Sequence, residues 1–138
     1  MTTRRLLAAA ALLLLPACKD STAPDPGLVG GTYTLRTIAG KTLPWVQLVQ
    51  PPEDTTWVTG GSYTFRADST YTFTYDYRYR RSGQVSVQHY EDTGRYRAFG
   101  DSLQLSDWWD YGGRRSGRTL VVHGRYEDWV YRRQILPE

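Results

Sequence analysis

Residues 70–80 read TYTFTYDYRYR. Tyr71, Phe73, Tyr75, Tyr77 and Tyr79 occupy alternate positions, and Thr70, Thr72, Thr74, Asp76, Arg78 and Arg80 lie between them. A period of two places successive side chains on opposite faces of an extended chain, so this stretch is a β-strand with one aromatic and one polar face. Burying the aromatic face leaves every charge in water. The reverse would enclose Asp76 with Arg78, at several kcal/mol per ion before pairing, and would expose a continuous row of rings. The aromatic face is therefore expected to point inward.

Outward from this strand, the same grammar continues. Gly-x-Tyr occurs at Gly31/Tyr33, Gly61/Tyr63, Gly94/Tyr96 and Gly124/Tyr126, at spacings of 30, 33 and 30 residues. With 13 Gly and 11 Tyr in 138 residues, chance supplies about one such pair. Thirty residues hold two strands and two turns, so four units predict about eight strands. The expected strands are 31–38, 43–50, 55–66, 70–80, 84–97, 102–109, 118–123 and 126–134. Short connections such as Ala39-Gly40-Lys41, Ala67-Asp68-Ser69, Arg81-Ser82-Gly83 and Phe99-Gly100-Asp101 make consecutive strands antiparallel. Tyr111 to Gly117, with three glycines, reads as a longer exposed loop. The expected fold is all-β: an antiparallel up-and-down meander of about eight strands, closed into a barrel because closure removes the edges.

Composition narrows the function. A charged fraction of 22% and an aromatic fraction of 14% describe a chain with material for a core. The formal charge of +3 includes Arg4 and Arg5; without that N-terminal pair the chain is close to neutral, which gives no electrostatic case for nucleic acid. A single cysteine, Cys18, excludes an intramolecular disulfide and a four-thiolate metal site. No Gly-x-Ser-x-Gly elbow, His-Glu-x-x-His or phosphate loop occurs, so the expectation is a protein that is not an enzyme and uses no cofactor.

The first eighteen residues specify an address. Arg4 and Arg5 precede a run of Leu and Ala from Leu6 to Leu15, too short to span a bilayer and of the length of a secretory apolar region. Cys18 follows directly, after Leu15-Pro16-Ala17. This resembles the bacterial lipobox, with Pro16 where a small or hydroxyl residue is usual. The resemblance implies a signal peptide over 1–17, lipidation of Cys18 with at least two acyl chains, and a tethered domain in the cell envelope. Residues 18–30 then read as the lipidated cysteine and a flexible linker rich in Pro, Ser, Thr, Asp and Gly. Asp20 lies two places after Cys18, which by the enterobacterial sorting rule implies the outer membrane, facing the periplasm.

Together with GTYTLRTIAGKTLP at 31–44, GRYRAFGDSLQL at 94–105 and GRYEDWVYRR at 124–133, the lipobox makes the chain similar to bacterial lipocalin-like lipoproteins. The resemblance covers about 31–134 and implies a lipocalin-like barrel domain over 31–138. Lipocalins proper carry Gly-x-Trp where this chain has Gly31-Thr32-Tyr33.

Candidate sites follow from the same residues. Tyr71, Phe73, Tyr75, Tyr77 and Tyr79 either line a pocket for a small hydrophobic or aromatic ligand or fill the lumen as core. Trp45 and Trp57 flank Pro51-Pro52 and join that ligand-binding set. Of the adjacent pair Trp108-Trp109, one ring should be exposed, as a contact for an envelope protein partner or as a solvent-facing ring. His89, Glu91, His123 and Glu127 offer metal-ligand chemistry, against the plainer reading of solvated strand ends. The leading expectation is a non-enzymatic lipoprotein held to the membrane through Cys18 and binding a small molecule. The rival is an interaction module or inhibitor that works through loops and exposed tryptophans.

Overall fold

A computed structural model describes residues 27–50, 54–106 and 112–135. The described residues are all-β and antiparallel, with ten strands: β1 (Thr32–Ile38), β2 (Lys41–Thr42), β3 (Trp45–Gln50), β4 (Asp54–Phe65), β5 (Thr70–Arg81), β6 (Gln84–Phe99), β7 (Ser102–Ser106), β8 (Gly112–Ser116), β9 (Thr119–His123) and β10 (Asp128–Arg133). From β4 to β10 each strand pairs with the next in sequence, β10 pairs with β1, and β1 pairs with β4. That last pairing closes an eight-stranded up-and-down barrel, with β2 and β3 as additional strands.

Closure is confined to one end. β1 meets β4 over Thr32↔Thr64, Tyr33↔Tyr63 and Thr34↔Ser62 only. Beyond a register shift between Leu35 and Thr37, β1 pairs with β2 instead. The outer half of β4 pairs with β3. The two strands thus diverge, and β2 and β3, separated by the cis Leu43–Pro44 peptide, line the two sides of the fork. On the far side β7 covers only Arg95–Phe99 of β6. The remainder of β4, β5 and β6, with β3, stands out from the barrel as a four-stranded wall.

At the closed end tyrosines fill the lumen. Tyr33, Tyr63, Phe65, Tyr71 and Tyr131 are fully buried. Tyr63 lies at the centre, its ring centroid 5.1 Å from Tyr131, 5.5 Å from Tyr71, 5.8 Å from Phe73 and 5.9 Å from Phe65. Offset and edge-to-face pairs at such distances each add about 0.5–1.5 kcal/mol beyond their area burial. Leu28 is also fully buried. The Arg133 guanidinium donates to the Gly27 carbonyl at 2.8 Å, and the Gly30 amide to the Phe65 carbonyl at 3.1 Å. Residues 27–30, expected as the end of a linker with little to bury, belong to the folded body and stop its closed end.

Two further expectations are corrected. Residues 43–50 were assigned to the barrel, but they form β3 outside it after the interruption at Leu43–Pro44. The glycine-rich segment expected as a loop supplies β8, a barrel strand between β7 and β9. Its glycines suit that place, because a Cβ on Gly113 would approach the Val121 carbonyl to 3.0 Å. Of the expected strand 102–109 the described residues include Ser102–Ser106, which form β7; 107–109, with Trp108 and Trp109, lie outside them.

Candidate functional site

The aromatic face of β5 runs from the packed lumen into open space. Tyr71 is fully buried and Phe73 nearly so, at 7% exposure, whereas Tyr75, Tyr77 and Tyr79 are half-buried. The alternation is uniform along the strand; what changes is the roof. Where the barrel closes, rings from β1, β4 and β10 cover β5. Where it forks, they do not, and the same face becomes the floor of a cleft of about 810 Å³.

The floor is a ladder. Centroids of Phe73, Tyr75, Tyr77 and Tyr79 follow one another at 5.3, 6.1 and 6.0 Å. This is close to the two-residue repeat of a strand. One wall comes from Gln47 and Leu48 of β3, the other from Gln88 and Tyr90 of β6. The Tyr90 hydroxyl donates to Asp92 at 3.0 Å, and its ring lies 5.8 Å from Phe73. The inner end is closed by Trp129, whose ring lies 5.1 Å from Tyr75 and 6.3 Å from Trp45. Its indole N–H points at Glu127 Oε1, 3.3 Å away.

Over the cleft hangs the β9–β10 turn, Gly124 to Glu127. Tyr126 there is 83% exposed, with the Arg125 guanidinium carbon 5.4 Å from its ring centroid. It is the fourth Gly-x-Tyr tyrosine. Tyr33, Tyr63 and Tyr96 are buried, so the motif is a core device in three cases and fails in the fourth. Sequence reading missed Tyr126 by treating all four alike. The available signal was Glu127-Asp128 directly after it, where an inward strand would continue with apolar residues.

Three residues of the expected ligand set, Tyr71, Trp57 and Trp45, do not line this cleft. Tyr71 is core. Trp57 lies on the opposite face of the wall, where the Arg78 guanidinium carbon stacks 4.6 Å above its ring and that of Arg80 lies 5.6 Å away. Trp45 packs behind Trp129. Of the metal-type residues, His89 and Glu91 lie side by side, while His123 and Glu127 are engaged by Asp128 and Trp129. His89 Nδ1 lies 2.6 Å from Asp76 and its Nε2 4.0 Å from Glu91, and His123 Nδ1 pairs with Asp128 at 2.8 Å. Among the described residues no group of three His, Cys, Asp or Glu side chains is arranged to hold a metal ion.

Electrostatically the cleft is mild. Burial first, and then the neighbouring Tyr75 and Tyr131, push the Tyr63 phenol well above the ordinary tyrosine range. It therefore stays neutral, with its hydroxyl 3.4 Å from that of Tyr75 where core meets cleft. What the arrangement offers a guest is a row of ring faces and edges, the side-chain amides of Gln47 and Gln88, and one charge of each sign on the overhanging turn. Such a surface binds by stacking and by orienting hydrogen bonds. Comparison with family models, with curated proteins and with solved structures found no match to this chain.

Proposed function

We propose that this protein is a non-enzymatic, lipid-anchored protein of the bacterial cell envelope that binds a small aromatic or hydrophobic molecule in the tyrosine cleft. The observation that carries the binding reading is the unroofed ladder of Tyr75, Tyr77 and Tyr79 in a cleft of about 810 Å³. That volume is within the range of small-molecule sites, and half-buried aromatic floors with a few amides at the walls are their usual lining. A lumen that only needed filling would have continued the close packing seen around Tyr63. The anchoring reading rests on Cys18, placed directly after the apolar run, and on the resemblance to lipocalin-like lipoproteins. Two or more acyl chains at ~0.8 kcal/mol per buried CH₂ hold a domain firmly at a membrane, and outer-membrane attachment facing the periplasm follows from Asp20 by the sorting rule.

The test of binding uses the full chain, extracted in mild detergent from its own host and examined by native mass spectrometry. A mass excess that disappears in Tyr77→Ala is the expected result. In parallel, titration with the planar probe anilinonaphthalene sulfonate should weaken roughly five-fold per ring removed at Tyr75 or Tyr77. Equal probe affinity for wild type and both variants, with no mass excess, overturns the reading. For the anchor, Cys18→Ala should move the protein from the membrane to the soluble fraction. Retention equal to wild type refutes lipidation.

A further inference from the structure

The wall that carries the cleft has two outer edges, and they differ. β3 is six residues long, its register shifts between Val46 and Leu48, and Pro51-Pro52 follow it in the sequence. Short length, irregular register and residues without an amide hydrogen blunt an edge. β6 has none of these. Over Gln84–Gly94 its register against β5 is unbroken, and the segment contains neither Lys nor Pro. Among the described residues this stretch is paired on one side only, since β7 pairs with β6 from Arg95 to Phe99.

The hairpin turn determines which groups face outward. Arg81 pairs with Gln84 across Ser82-Gly83, whose φ values of 49° and 79° are those of a type I′ turn. In such a hairpin the pair flanking the turn exchanges both hydrogen bonds, and the pattern alternates from there. The N–H and C=O of Val85, Val87, His89, Glu91 and Thr93 therefore point away from β5. The Asp92 carboxylate accepts from the Thr93 amide at 2.7 Å, which seals the end next to the barrel. From Val85 to Glu91 no described group does the same. Val85 and Val87 are 61% and 73% exposed.

We propose that this edge pairs antiparallel with the same edge of a second copy of the chain, with Gln88 on the two-fold axis. Charge selects the occupant. The barrel-side end of the edge carries Glu91, Asp92 and, on β5, Asp76, which pairs with His89 at 2.6 Å; the hairpin tip carries Arg78, Arg80 and Arg81, the last 3.6 Å from Asp54 of β4. An antiparallel copy lays tip against acidic end twice over. Glu91 faces Val85 of the second copy, beside that copy's Arg80, and Asp92 faces Gln84 of the second copy, beside its Arg81. The parities agree: Val85, Glu91 and Arg80 lie on the outer face, and Gln84, Asp92 and Arg81 on the cleft face. The result is a continuous eight-stranded wall with both tyrosine ladders on one side. It goes beyond the cleft's proposed ligand and does not depend on it.

Light scattering of the full chain in detergent, corrected for the micelle, should give a dimer. Val87→Pro removes an outward amide while leaving the β5 ladder intact, and should shift the chain to monomer with unchanged circular dichroism. Gln88→Cys, a non-hydrogen-bonded position on the axis, should form a disulfide-linked dimer on air oxidation in a Cys18→Ala background, and Val85→Cys should not. Glu91→Lys should weaken association about ten-fold, and adding Arg80→Glu should restore it. A monomeric wild type overturns the proposal. So does a wild-type dimer that survives Val87→Pro in folded form. If Val87→Pro fails to fold, the cysteine pair and the charge exchange decide: equal cross-linking of both cysteines, or no restoration, refutes it.

Discussion

Phe73 marks the point on β5 where packed lumen gives way to cleft, with its ring between Tyr63, Tyr71, Tyr75 and Tyr90. Phe73→Ala should cost about 3–5 kcal/mol, because surrounding rings anchored on separate strands cannot collapse into the gap. Thr72, on the opposite face, accepts one exposed hydrogen bond from Arg66 at 2.7 Å, and Thr72→Ala should cost less than about 1 kcal/mol. Urea melts of the two variants give the comparison; equal losses would mean that the burial of β5 is inverted. Asp68 acts at the next turn. Its carboxylate accepts from the Thr70 hydroxyl at 2.6 Å and the Thr70 amide at 3.0 Å, and these bonds, the hydroxyl first, lower its pKa. A carboxylate whose folded pKa is depressed contributes stability above its unfolded pKa and loses it as pH falls through the folded one. The stability gap between wild type and Asp68→Ala should thus be constant down to about pH 4 and narrow below it. A gap that is constant through the acid range, in pH-dependent urea melts, would show that the carboxylate charge is irrelevant to the turn.

Elements in this protein are built from glycine facing a ring. A Cβ on Gly61 would meet the Thr74 carbonyl at 2.7 Å and the Tyr75 ring at 3.1 Å. One on Gly94 would run into the Tyr71 hydroxyl and lie 2.8 Å from the Ser106 carbonyl. In the units at Gly31, Gly61 and Gly94 the glycine leaves room for a side chain from a neighbouring strand, and the tyrosine two places on is buried. This is why the motif recurs with strand spacing. Gly94→Ala should therefore destabilise by about 1–3 kcal/mol, as overpacking does, even though alanine is no worse than glycine in an open strand. Thermal melts would show it, and Gly40→Ala is the contrasting control: nothing lies within 4 Å there, and its loss comes only from a φ of +74°. Were Gly94→Ala neutral, Tyr71 would have to be free to move, and the aromatic lumen would be looser than its geometry implies.

At the scale of the whole molecule, one end closes and the other opens. The closed end is finished by Leu28, which no strand carries. Leu28→Ala should cost about 2–5 kcal/mol, like other fully enclosed leucines, and should lower the chemical midpoint without changing the all-β circular dichroism. A neutral result would return residues 27–30 to the tether. The open end exists because β1 is shared between β4 and β2, so that the β1–β4 seam covers only part of either strand. The cleft is a consequence of that sharing.

Period-two alternation, turn chemistry and the Gly-x-Tyr spacing suffice, within the sequence, for an all-β antiparallel meander, for the inward face of β5, and for most strand limits to within two residues. These are local matters: a strand's faces are set by its own pleat, and a tight turn by the residues in it. Everything non-local was decided in three dimensions. Whether Tyr71 and Tyr77, identical residues on one face of one strand, become core or cleft depends on what strands far away in sequence place above them. The role of Gly112–Ser116 as a barrel strand, and of β3 as a strand outside the barrel, depends on which edges remained to be paired once β1 met β10. Tyr126 left the pattern of its three counterparts because its unit falls on a turn over the mouth of the barrel, where no lumen exists to receive a ring.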